Sequence, residues 1–188
     1  MAQPELLKQV VNALDAAGID YMVTGSVASS LQGEPRATHD LDFVVQLSAD
    51  QLPELMGAFP TPRFYFDEDA ARVAVESGGM FNVLDIDEGD KVDFWLLTDE
   101  PFDRMRFHRK YVENVFGIRL KVTRPEDTIL QKLKWSVLSG ASEKSFLDAL
   151  RVYEVQHGQL DIAYIEQWAV QLGVRELWER LRAEAQLI

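Results

Sequence analysis

Cysteine is absent from the 188-residue sequence, and histidine occurs only at His39, His108 and His157. The lack of cysteine excludes a disulfide framework, a thiolate zinc site and a cysteine nucleophile. No apolar run approaches the roughly 18–20 residues that a membrane-spanning helix needs. The first residues lack the basic and apolar regions of a signal peptide, so we expect a cytoplasmic protein with no membrane partner.

Positive charge is scarce in the first part of the chain. The net charge is −12, and residues 1–100 hold 5 Lys and Arg against 19 Asp and Glu, whereas residues 101–188 hold 14 against 12. An acidic protein is poorly suited to non-specific nucleic-acid binding, which depends on neutralising phosphates. An excess of Asp and Glu suits a protein that binds metal cations through carboxylates, although many of these residues serve only to keep the protein soluble.

Hydrophobic patterning predicts a mixed α and β first part and a helical second part. Helical spacing indicates a helix over residues 4–17. Strands are predicted over residues 19–24, 39–47, 63–66 and 71–76. Residues 80–86 and 91–97 are predicted to form one hairpin, and residues 111–122 a second hairpin that turns at Phe116-Gly117. Residues 101–108 are expected to form only a helical turn. Pro125 fits the first turn of a helix, and three more helices are predicted after it.

We therefore predict an α+β fold with two parts. A mixed β-sheet core with flanking helices is expected over residues 1–122. A helical subdomain that packs on this core is expected over residues 123–188.

Three carboxylates lie in apolar predicted strands. Asp40 and Asp42 are two residues apart, so strand alternation places both on one face, and Asp93 lies in a later strand. Ionised carboxylates in such settings are costly unless something pairs them, and a pair of divalent cations would do so. Mg²⁺ prefers carboxylates together with phosphate oxygens and water. The alternatives are a chance Asp-x-Asp pair and a lone Asp on an exposed edge strand.

Gly25-Ser26 follows a predicted strand and opens a predicted helix. Glycine lets a phosphate approach the backbone, and the free amides of a helix N-terminus attract anions. The alternative is an ordinary turn with a helix cap. No Walker-type phosphate loop is present, which excludes a P-loop NTPase.

The spacing of these motifs resembles the signature of the nucleotidyltransferase superfamily of DNA polymerase β-like fold. Val23-Thr24-Gly25-Ser26 is followed, after thirteen intervening residues, by Asp40-Leu41-Asp42-Phe43, and Asp93 matches a third acid in a later strand. The run Arg36-Ala37-Thr38-His39-Asp40 resembles the Arg-x-Thr-x-Asp approach of bacterial members. The resemblance covers residues 19–97.

This resemblance implies transfer of a nucleoside monophosphate from a nucleoside triphosphate substrate to a hydroxyl of an unknown acceptor, with Mg²⁺ or Mn²⁺ as cofactor. A small molecule, an RNA and a protein all stay open as the acceptor. The catalytic and metal-binding residues that it implies are Asp40, Asp42 and Asp93. The nucleotide-binding residues that it implies are Gly25, Ser26 and Arg36, with a solvated loop arginine as the alternative for the last.

Residues 123–170 bear a narrower resemblance to abortive-infection toxin nucleotidyltransferases (AbiEii-like). That group carries Lys-Leu in one helix and Lys/Arg-Asp-x-x-Asp in the next. Lys132 matches the lysine and Asp148 the second aspartate, whereas Ser145 stands where the first aspartate is expected. The resemblance implies that Lys132 contacts the nucleotide, with a surface lysine as the alternative. It also implies a toxin–antitoxin role with an RNA or an antitoxin protein as partner, against which the departure at Ser145 counts.

Two functions from different classes stay open at this point. The first is an active nucleotidyltransferase, which the three intact acids favour. The second is a catalytically idle member of the fold that acts as a nucleotide- or partner-binding module, for which Ser145 and the acidic surface leave room. The basic run Arg104–Tyr111, with its interleaved aromatics, is either a contact surface for a nucleic-acid acceptor or a solvated helix face.

Overall fold

The computed structural model describes residues 4–187. Residues 1–3 lie outside the described residues. They belong to the N-terminal segment for which we predict no signal peptide. The helices are α1 (Pro4–Ala16), α2 (Gly25–Gln32), α3 (Leu52–Gly57), α4 (Glu68–Ser77), α5 (Pro101–Arg109), α6 (Pro125–Leu138), α7 (Glu143–Gln156), α8 (Ile162–Gln171) and α9 (Arg175–Glu184). None of the described helices combines the length and the apolar character needed to cross a membrane.

The strands form one mixed sheet. They are β1 (Asp20–Thr24), β2 (Asp40–Gln46), β3 (Phe64–Tyr65), β4 (Met80–Asp85), β5 (Lys91–Leu96), β6 (Tyr111–Val115) and β7 (Ile118–Val122). Their order is β3-β4-β5-β2-β1-β7-β6, with β2 parallel to β5 and antiparallel to β1. The buried Phe43 and Phe94 stack across β2 and β5 with ring centroids 6.0 Å apart. The predicted mixed sheet with flanking helices is confirmed.

Both predicted hairpins are present. β4 pairs antiparallel with β5, and β6 pairs antiparallel with β7. The second hairpin turns at Phe116-Gly117, where both residues have positive φ angles of 51° and 76°. The helical turn predicted over residues 101–108 is longer than expected, because Pro101 begins the full helix α5.

The strand predicted over residues 71–76 is wrong, because these residues belong to α4. The Asp67 side chain accepts a hydrogen bond from the Ala70 N–H and caps the helix. Ala71 and Ala74, three residues apart, face the core. The β-branched Val73 and Val75 produced a misleading period of two, whereas the cap and the alanine spacing set the helical period.

The chain divides into two compact units. The first comprises Met1–Val27 and Ala37–Val122 and holds the whole sheet. The second comprises Ala28–Arg36 and Thr123–Ile188. Within the second unit α6 packs against α7, and Trp178 of α9 meets Tyr153 of α7 edge-on, with ring centroids 5.3 Å apart.

Candidate active site

The parallel pairing of β2 with β5 brings the three predicted acids together. The register sets Asp42 beside Asp93 and Asp40 beside Lys91. Because paired residues and alternate residues share a face, these four side chains lie on one face of the sheet. Neighbouring strands are about 4.8 Å apart, so Asp42 and Asp93 are direct neighbours.

Asp93 is the most buried of the three acids. Its side chain is 8% exposed, against 54% for Asp40. Burial raises the pKa of Asp93, the neighbouring Asp42 and Asp40 raise it further, and Lys91 only partly opposes them. Oδ1 of Asp93 has no hydrogen-bond partner in the part of the chain that the structure describes. A buried oxygen in that state is unfavourable, so a cation or a proton at this atom would be stabilised.

Lys91 is a member of the site that sequence reasoning missed. Its Nζ lies 2.8 Å from Oδ2 of Asp93 and 3.6 Å from Oδ1 of Asp40. The hydrogen bond with Asp93 raises the pKa of Lys91. The available signal was the Lys-x-Asp spacing in β5, which places Lys91 on the same face as Asp93.

Gly25 closes the turn between β1 and α2 against the Asp42 carboxylate. Thr24, the last residue of β1, pairs with Asp42, and Gly25 follows with a φ of +63°. A Cβ at position 25 would overlap Oδ2, Cγ and Cβ of Asp42. Only glycine fits both this φ and this close approach. The Asp42 carboxylate therefore lies at the N-terminus of α2, the end of a helix that favours negative charge.

The carboxylate cluster fits a divalent cation by its chemistry. Within residues 4–187 no group of three or more His, Cys, Asp and Glu side chains is arranged as a metal site. The Nζ of Lys91 lies within 4 Å of two of the three acids instead. Carboxylate oxygens are the ligands that Mg²⁺ prefers, and Oδ1 of Asp93 lacks a partner of its own. The donor types of these residues suit a hard cation such as Mg²⁺, whereas their arrangement among the described residues is not that of a metal site.

Arg36 and Lys132, the predicted nucleotide contacts of the second unit, bind the same carboxylate. Arg36 donates to Asp148 from Nε and Nη2 at 3.2 and 3.0 Å, and Lys132 Nζ lies 2.6 Å from Oδ2. Burial alone would raise the pKa of Asp148, but these hydrogen bonds outweigh it and hold the pKa below its usual value. Two cations share one carboxylate, so the cluster keeps a net positive charge that suits a phosphate.

The basic run Arg104–Tyr111 forms α5 and the residues after it, and its cations bind neighbouring acids. Arg104 contacts Asp99 and Arg106 contacts Asp103, so each of these arginines has a carboxylate of its own. Paired cations have less charge available for phosphates than free ones. This pairing favours the helix-face interpretation over a nucleic-acid contact surface.

Solved structures resemble this chain, although no protein-family model matches the sequence and no curated protein is similar enough to match it. An antigenic nucleotidyltransferase-like protein from Paracoccidioides brasiliensis aligns over 96% of this chain and 93% of its own, with a TM-score of 0.53 and 18% identity. ANT(2'')-Ia in complex with adenylyl-2''-tobramycin aligns over 95% and 96%, with a TM-score of 0.53 and 13% identity. The lincomycin-bound lincosamide antibiotic adenylyltransferase LnuA aligns over 82% and 98%, with a TM-score of 0.53 and 9% identity.

These similarities show that the chain has the nucleotidyltransferase fold, as the sequence resemblance predicts. At such low identity they establish the fold alone, and function has to be argued from the site. They do not single out the AbiEii-like group. That narrower resemblance stays a prediction based on Lys132 and Asp148.

Proposed function

We propose that the protein is a metal-dependent nucleotidyltransferase that moves a nucleoside monophosphate from a nucleoside triphosphate to a hydroxyl group. The observation that carries this proposal is the register of β2 and β5. It sets Asp42 beside Asp93, with Asp40 two residues away on the same face. Acids gathered in this way, in a chain with this fold, suit phosphoryl chemistry better than a purely structural role.

Asp40, Asp42 and Asp93 are the proposed metal ligands. Mg²⁺ or Mn²⁺, when bound there, would neutralise the triphosphate and the charge that develops at the reacting phosphorus. Asp93 has a second proposed task, acceptance of the proton from the attacking hydroxyl, for which its carboxylate would use an oxygen that the cation leaves open. In the overall reaction the hydroxyl oxygen bonds to the α-phosphorus, and pyrophosphate leaves.

Gly25 and Ser26 are the proposed backbone contacts for the phosphates. The positive φ of Gly25 and its missing side chain let the Asp42 carboxylate lie against the start of α2, so a phosphate bound at this helix N-terminus would lie beside a proposed metal ligand. In the second unit, Arg36 and Lys132 are the proposed cationic contacts of the triphosphate. Their shared partner Asp148 fixes the orientation of both side chains.

The acceptor is proposed only as a hydroxyl compound. Two of the similar proteins were solved in complex with adenylyl-2''-tobramycin and with lincomycin, respectively. A small hydroxylated molecule is therefore the first acceptor class to test, with RNA and protein hydroxyls after it. An antitoxin partner stays tied to the AbiEii-like resemblance, and Ser145, whose N–H contacts the capping Ser142 at 3.4 Å, carries no acid for toxin-type chemistry.

A catalytically idle nucleotide-binding or partner-binding module is the second candidate. The specific observation in its favour is Lys91, whose ammonium already compensates Asp93 and Asp40. An idle protein has no need of a metal at this cluster. The two functions therefore differ in whether nucleotide binding depends on a divalent cation.

Calorimetry with a non-hydrolysable nucleoside triphosphate tests the proposed function. We expect binding that requires Mg²⁺ or Mn²⁺ and that Asp42→Asn weakens by at least about 10–100-fold, the cost of altering residues that merely orient metal ligands. Asp69→Asn is the matched control, because the Asp69 side chain is 95% exposed on α4. Metal-independent binding, or equal losses for both variants, would contradict the proposal.

A further inference from the structure

Lys91 is placed among the acids by the strand itself. It lies opposite Asp40 in the parallel register and two residues before Asp93 on the same face. Its side chain is 34% exposed, and Nζ contacts both carboxylates at 3.6 and 2.8 Å. The acid cluster thus contains its own cation.

The charges explain why a cation is needed there. Asp40, Asp42 and Asp93 would otherwise repel one another on adjacent strands, and one of them is almost fully buried. Lys91 compensates part of this charge with a single ammonium group. A divalent cation would compensate more of it, but at Oδ2 of Asp93 or Oδ1 of Asp40 it would have to displace the Lys91 ammonium, and at the unpartnered Oδ1 of Asp93 it would lie close to that ammonium.

We propose that Lys91 is a positioning residue that holds Asp93 and Asp40 when no divalent cation is present and competes with that cation for their oxygens. This inference rests on the proposed function. A divalent cation alone binds weakly, because it can use both oxygens of Asp93 only after Lys91 leaves Oδ2, and at Oδ1 alone it is repelled by the nearby ammonium. A triphosphate offers Lys91 a new anionic partner, so nucleotide and metal bind cooperatively.

Metal binding without nucleotide separates this role from a merely structural one. Mn²⁺ is titrated calorimetrically into wild type, Lys91→Met, Lys91→Gln and Lys91→Arg, with and without a non-hydrolysable triphosphate. We expect Met and Gln at position 91 to tighten the binding of Mn²⁺ alone by about 5-fold or more, the lower end of typical coupling between ligands. We expect the same two substitutions to reduce the factor by which the nucleotide strengthens Mn²⁺ binding. The Lys91→Arg variant keeps the charge and resembles wild type.

Lys121→Met is the matched control. Lys121 also binds an acid of the sheet, Asp20, at 2.9 Å, and it lies on β7 away from the acid cluster. Its loss removes a similar ion pair without touching the proposed metal ligands. We expect wild-type Mn²⁺ affinity for this variant.

Two results would overturn the inference in different ways. If Mn²⁺ binds wild type and both uncharged variants equally, or binds those variants more weakly, Lys91 does not compete and the proposed function survives. If Mn²⁺ binds neither the wild type nor any variant, with or without nucleotide, the proposed function fails and the inference fails with it. Melting curves in EDTA check that each variant is folded, and Lys91→Gln serves if Lys91→Met is not.

Discussion

At the scale of single residues, two independent constraints require glycine at position 25. Its backbone is left-handed, and the Asp42 carboxylate occupies the place of a Cβ. A turn that served only to reverse the chain would need the first constraint alone. The second one ties the turn to the acid that follows in β2.

Gly25→Ala is therefore expected to destabilise the protein more than a comparable change elsewhere. The left-handed conformation alone costs a non-glycine residue about 1–2 kcal/mol, and the overlap with Asp42 adds to it. Gly117→Ala is the control, since Gly117 has a φ of +76° with no neighbouring atom within 4 Å of a Cβ. Denaturant unfolding measures both, and equal costs would contradict the close approach to Asp42.

Asp93→Asn tests the cost of keeping a carboxylate at this position. The raised pKa of Asp93 means that the folded protein binds this proton more readily than the unfolded chain. Ionised Asp93 therefore lowers stability at neutral pH, and the penalty fades as the pH falls through the raised pKa toward 3.8. In EDTA we expect the variant to exceed wild type by about 0.5–1 kcal/mol at pH 7 and to lose this advantage near pH 4. A variant that is less stable at pH 7 would refute this.

At the scale of elements, Asp148 links α7 to Arg36 and to Lys132 of α6 within the second unit. Its side chain is 11% exposed and hydrogen-bonded to both cations. Charge-assisted hydrogen bonds of this kind contribute more than exposed ion pairs. The cluster therefore stabilises the second unit as well as presenting positive charge.

Asp148→Asn is expected to cost about 1–3 kcal/mol at pH 7, because it weakens hydrogen bonds to two charged groups. The lowered pKa means that this contribution is present above the unfolded-state value of 3.8 and is lost as the pH falls through the folded-state value. Glu166→Gln is the control, since its ion pair with Arg182 is about half exposed. Unfolding at pH 7 and at pH 3 checks both points, and similar costs for the two variants would argue against them.

The elements were predictable from sequence where local signals agree. The hairpin over 111–122 has a turn at Phe116-Gly117 and apolar flanks, and the structure confirms it. The error over 71–76 arose because two β-branched valines suggested a strand where Asp67 caps a helix. The strand prediction relied on the β propensity of the two valines and did not take into account the Asp67 cap, which favours the helix.

The candidate site was predictable in its residue types but not in its pairing. Strand alternation predicts that Asp40 and Asp42 share a face. No local signal predicts that β5, about fifty residues later, lies parallel to β2 in the register that sets Lys91 beside Asp40. Such long-range partner choice depends on the packing of the whole sheet. For the same reason the contacts of Asp148 with Arg36 and Lys132 were not foreseen.

At the scale of the whole molecule, ligand binding is expected to appear as global stabilisation. With Mg²⁺ and a triphosphate at about 100 times the dissociation constant, linkage adds about 2.7 kcal/mol, or about 5–11 °C in Tm for a chain of this size. EDTA should abolish the shift, and Asp42→Asn should reduce it. A full shift in EDTA would favour the idle binding module.

Transfer of a labelled nucleotide is the decisive measurement for nucleotidyltransferase activity. The protein is incubated with each of the four α-labelled nucleoside triphosphates, Mg²⁺ or Mn²⁺, and a cell extract as the source of acceptor hydroxyls. Nucleotidyltransferase activity predicts that label from at least one nucleotide moves to a new species while pyrophosphate is released, and that EDTA or Asp42→Asn stops both. Metal-dependent nucleotide binding with neither label transfer nor pyrophosphate release above the Asp42→Asn background would contradict it.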